Sequence, residues 1–128
     1  MKALKFDTCC DMTIVELAAP LHKSLQNELN GYFETVNPKR LKQPFCMIVD
    51  EEGLLKGLPD NPVGSYLYAT DEHGSRIVGD ILIMKWHNGA EGIDLVGLDD
   101  QDITNLADKL KEMADVFKEI KKQNGGYL

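Results

Sequence analysis

FCMIVDEEGLLKGLPDNPVGSYLYATDEHGSRIVGDILIMK, residues 45–85, contains both the most apolar segments of the chain and its strongest turn punctuation. Phe45–Val49 and Ile77–Met84 carry apolar residues at both alternating positions, the pattern of strands covered on two faces. Between them Gly57-Leu58-Pro59-Asp60-Asn61-Pro62 reads as a loop. Asn61 as cap and Pro62 at the first position start a short helix or turn that runs to Thr70.

Outward from this stretch, Lys2–Phe6 and Met12–Leu17 read as strands, and Tyr32–Val36 as a third before the turn pair Asn37-Pro38. Phe45–Asp50 is the fourth and Ile77–Trp86 the fifth, with Gly79 as a bulge or close-approach point. Trp86–Gly89 then leaves the sheet, with a short strand at Ile93–Val96 beyond it. Ala18–Asn30 is a helix, because Leu21, Leu25 and Leu29 recur every four residues, with Pro20 near its start and Gly31 at its stop. From Asp99 to Asn124, apolar residues at Ile103, Leu106, Leu110, Met113, Phe117 and Ile120 form a helical stripe, ended by Gly125-Gly126. That stripe packs on the sheet or on a second subunit, which makes a homodimer one expectation. The fold class expected is therefore α+β: one domain of 128 residues, with a mixed or antiparallel sheet of about five strands covered by two helices.

Composition narrows the function. The net charge is −7, and it is not spread evenly. Residues 1–44 carry six Lys/Arg against five Asp/Glu, and residues 103–128 five against four, so each is +1. Residues 45–102 carry three against twelve, or −9. A segment this acidic argues against nucleic-acid binding and permits a partner protein with a basic surface, met by Asp50, Glu51 and Glu52. No apolar stretch approaches the roughly 18 residues of a membrane span. The first twenty residues contain Asp7, Asp11 and Glu16 and do not read as a signal peptide, so a cytoplasmic location is expected. Cys9, Cys10 and Cys46 are odd in number and lack metal-ligand spacing, which reads as reduced thiols.

Motifs of catalysis are missing: no G-x-S-x-G, H-E-x-x-H, Walker loop or G-x-G-x-x-G occurs. His22, His73 and His87 fall in different elements, so neither a metal nor another cofactor is expected. The acids at 50–52 lack the alternate spacing of a calcium loop. Lys39, Arg40 and Lys42 form a basic loop able to hold a phosphate or carboxylate. For a small nucleotide-like ligand the candidate residues are Lys56, Asn61 and Tyr66, which the loop Lys56–Tyr68 brings near one another, and Asp80 inside the apolar strand. An enzyme is the least supported class.

Gly31-Tyr32, the block MIVDEEGLLKGLPDNP at 47–62 and Ile77-Val78-Gly79-Asp80 resemble a family of small uncharacterised proteins from bacterial plasmids, conjugative elements and phages. The resemblance covers roughly residues 1–98 and leaves Cys9-Cys10 and the helix at 99–128 outside it. It implies no catalytic residue. It implies a context: an accessory gene of mobile DNA, a class whose products include small inhibitors of host defence. The expectation carried forward is a non-enzymatic accessory binding protein, an inhibitor of a host nucleic-acid-binding or defence protein, with a nucleotide-signal binder as the alternative.

Overall fold

The computed structural model describes residues 1–90 and 92–123. Its element order is β1 (Lys2–Phe6), β2 (Met12–Glu16), α1 (Leu21–Leu29), β3 (Phe33–Val36), β4 (Phe45–Asp50), α2 (Pro62–Leu67), α3 (Thr70–His73), β5 (Ile81–Gly89), β6 (Gly92–Val96) and α4 (Asp100–Gln123). The sheet has the order β2-β1-β5-β4-β3, every pairing is antiparallel, and β6 pairs with β5 alone. Among the described residues it has six strands, and the α+β class holds. The expected stop at Gly125-Gly126 lies outside the described residues.

Alternation divides the sheet between two cores. Leu4, Phe6, Met47, Val49, Ile81 and Ile83 face α2 and α4, where Val63, Leu67, Leu106, Leu110 and Ala114 meet them. Ala3, Cys46, Ile48, Leu82 and Met84 face α1, where Leu25 and Leu29 meet them. β4 and β5 are apolar on both sides because both sides are covered. Complete burial of each Leu or Ile in these layers is worth about 1.5–3 kcal/mol. The α4 stripe thus packs on its own sheet.

Four local readings are corrected. Ile77 and Val78 are buried but precede β5, which starts at Ile81. Gly79 takes φ +78, and the chain turns there instead of extending. Ile77 accepts the Asn61 N–H at 2.8 Å and Val78 bridges to Asp60, so these two residues line the α2 loop. β5 in turn runs through Trp86 to Gly89, because β6 returns beside it in the register Trp86–Leu95 and Asn88–Ile93. In α1, Pro20 is the N-cap, and the left-handed C-cap is Asn30 at φ 58, not Gly31. The element expected to run from Pro62 to Thr70 ends at Leu67, and Thr70 opens α3, which Ala69 at φ +61 separates from α2.

Candidate functional site

Asp50 ends β4 with its side chain on the α1 side, and the turn that follows folds back over it. Lys56 Nζ donates to Asp50 Oδ2 at 2.7 Å and to the carbonyl of Asn30, the α1 C-cap, at 3.0 Å. An ammonium at that position satisfies a free carbonyl and complements the negative end of the helix. The other carboxylate oxygen, Asp50 Oδ1, accepts the Glu52 N–H at 2.8 Å, and the Glu51 N–H bonds the Tyr32 carbonyl at 3.0 Å. The Asp50 side chain is only 2% exposed. It is therefore not part of an exposed acidic patch with Glu51 and Glu52; it is the buried anchor of the turn that displays them.

Lys56, Asp50 and Asp80 share one cavity of about 270 Å³, with Thr8, Leu29 and Leu58. Asp80 sits at the Gly79 irregularity, partly exposed, with Lys5 Nζ 3.7 Å away. Lys5 also binds Glu28 Oε2 at 2.9 Å. Partial burial pulls the Lys5 ammonium down, but the Glu28 hydrogen bond and the nearby Glu28 and Asp80 charges outweigh it and hold its pKa above the ordinary value. The cavity presents two carboxylates, α1 carbonyls and one ammonium already engaged twice, a set that favours hydrogen-bond donors over phosphate oxygens.

The other two candidate ligand residues lie elsewhere. Asn61 is fully buried. Its Nδ2 donates to the carbonyls of Phe6 (3.0 Å) and Gly79 (2.9 Å), while Oδ1 accepts the Gly64 N–H (2.9 Å), so it caps α2 and ties that helix to β1. Tyr66 is on the α4 side, its ring 5.7 Å from that of Phe117 and beneath the Arg40 guanidinium at 4.6 Å. The loop Lys56–Tyr68 does not bring Lys56, Asn61 and Tyr66 to one point.

Charge is also redistributed by folding. Arg40 pairs with Asp71 (2.8 Å) and Lys39 with Glu72 (3.1 Å), so two residues of the basic loop hold the chain's own carboxylates. Arg76 meets Asp60, Lys2 meets Asp100, and Lys85 meets Asp99 and Asp102. Within residues 45–102, Glu51, Glu52 and Asp94 are the acids with no such partner among the described residues, and each is exposed. Beside the two glutamates stand Leu54 and Leu55, 61% and 89% exposed, and Tyr32 at 64%. Glu34, Glu51 and Leu54 line one small hollow with Arg76. The paired leucines were missed as site residues, although two adjacent leucines in a Gly-bounded acidic turn have no strand or helix period to hide them.

No curated protein and no solved structure matches the chain. A family model described as a domain of unknown function matches residues 1–118, and so takes in most of α4 as well as the sheet. The chain belongs to that family, DUF3846.

Proposed function

We propose that this chain is a non-enzymatic accessory binding protein of a mobile genetic element, and that it docks on a host protein through the turn at residues 51–57. One observation carries the reading: Leu54 and Leu55 are exposed beside two unpaired glutamates, on a turn pinned by the bond from Lys56 to the buried Asp50. A rigid turn loses little conformational freedom on binding, which favours affinity. An apolar centre with an acidic rim suits a partner with an apolar cleft bordered by Lys or Arg. A nucleic-acid-binding or defence protein fits that description.

The test is affinity capture with the wild-type chain and with a Leu54→Ser/Leu55→Ser double variant, each followed by reciprocal capture of the protein found. Loss of one basic host protein from the variant, with melting unchanged, supports the reading. An identical set of bound proteins refutes it. A second reading is a small ligand in the cavity between Lys56 and Asp80, supported by the cavity's size and mixed charge. Native mass spectrometry of gently purified protein, with Asp80→Asn as the comparison, tests it: a retained mass lost in the variant is expected.

A further inference from the structure

We propose that two copies of this chain join through β2, edge to edge, to make one continuous antiparallel sheet centred on Ile14. Exposed strand edges usually carry a charge, a proline or a bulge that discourages pairing. The outer edge of β3 has Glu34 and is followed by Asn37-Pro38, while β6 has Asp94 at its centre. β2 is Met-Thr-Ile-Val-Glu: it has no proline, its one charge, Glu16, stands at its end and is met by the Met1 ammonium at 2.8 Å, and Ile14 at its centre is 49% exposed.

The ladder geometry says which groups are free. In the β1–β2 register, Leu17 N–H bonds the Met1 carbonyl and Asp7 N–H bonds the Asp11 carbonyl. Hydrogen-bonded pairs alternate in an antiparallel ladder, so Thr13 and Val15 turn towards β1. Met12, Ile14 and Glu16 turn their N–H and C=O groups outward. Pairing about Ile14 sets Ile14 against itself and Met12 against Glu16 of the second copy, with no like charges opposed.

Side-chain charge supports the same register. Ile14 and Glu16 lie on the α4 face, since they oppose Leu4 and Lys2, and Lys2 bonds Asp100 of α4. On that face Lys118 reaches down to Asp11 at 2.6 Å and is itself half exposed. Glu16 of the second copy therefore arrives beside the Asp11–Lys118 pair. Within one chain Asp11 and Glu16 are about 17 Å apart along the strand, so a Lys118–Glu16 contact is possible only between copies.

Sedimentation velocity from micromolar to hundred-micromolar protein tests the proposal. The wild type is expected to shift with concentration from 14.3 kDa to twice that mass. Ile14→Lys and Glu16→Lys should each remain monomeric throughout, whereas Ile93→Lys, at a still more exposed position elsewhere, should dimerise as the wild type does. Carbodiimide treatment of the wild type should link Lys118 to Glu16 in the dimer fraction only, which reads the register even if a variant folds poorly. A wild type that stays monomeric, or a dimer lacking that link and resistant to both substitutions, overturns it.

Discussion

Lys56 Nζ lies 2.7 Å from a carboxylate oxygen of Asp50 that is shut away from solvent, while a third of the lysine side chain remains exposed. The pair is thus unequal: removing the lysine strands a buried charge, and removing the aspartate frees a lysine that water can reach. Lys56→Ala should cost about 1–3 kcal/mol, below the full cost of breaking a buried pair because solvent screens the exposed side. Asp50→Ala/Lys56→Ala should be no less stable than Lys56→Ala alone. Urea titrations of the four proteins check this, and purely additive losses would refute the coupling.

Asn61 offers a sharper contrast between near-isosteres. Asn61→Asp keeps the acceptor that caps α2 but turns a donor to the Phe6 and Gly79 carbonyls into an oxygen facing them. Asn61→Ala removes cap and donor together, and should cost about 2–4 kcal/mol from a lost cap and two stranded carbonyls. At neutral pH Asn61→Asp should be at least as damaging, and it should recover stability on acidification as the carboxyl regains a proton. Denaturant midpoints at two pH values decide the matter.

Gly64 lies within α2, where alanine is the better helix former by about 1 kcal/mol. A Cβ there would stand 2.7 Å from Ile77 Cγ2 and 3.2 Å from Ile81 Cγ2, both buried. Overpacking of this kind costs about 1–3 kcal/mol, so Gly64→Ala should destabilise the protein. Calorimetry showing a raised Tm would sink the expectation.

The thiols set an alkaline limit. Burial pushes the Cys46 thiol from 9.0 up to about 12, and raises that of Cys10 by the same cause. Both are neutral in the fold and ionise earlier once unfolded, so their contribution is intact below pH 9 and is lost as pH climbs from there towards 12. Cys46→Ala should flatten the loss of stability over that window. In the native protein an aromatic disulfide reagent should titrate exposed Cys9 quickly and the other two only on unfolding.

How far the sequence reveals these features depends on the range of the interaction. β1, β4 and the start of α4 were legible to within a residue, because each element carries its own hydrophobic period after a clear break. The start of β5 was not, since Ile77 and Val78 are as apolar as Ile81 and Leu82; what separates them is the backbone angle at Gly79, and hydropathy holds no record of it. The candidate site shows the same division. Lys56 and Asp80 line one cavity, a juxtaposition the sequence does not announce; the role of Asn61 depends on Phe6, fifty-five residues earlier, and the middle segment's acidity is offset by Lys2, Lys5, Lys39 and Arg40 from the first third of the chain. Counting charges along a segment cannot anticipate partners that arrive only through tertiary contact.

Trp86 is the chain's single tryptophan, and it sits where β5 outruns β4, 39% exposed and paired with Leu95 of β6. Its indole is therefore outside both buried layers. Intrinsic emission will follow the β5–β6 hairpin, with a maximum already red-shifted in the native state and little further shift on global unfolding. Anyone using that signal to time the folding of this protein would be watching an arm wave rather than the body assemble.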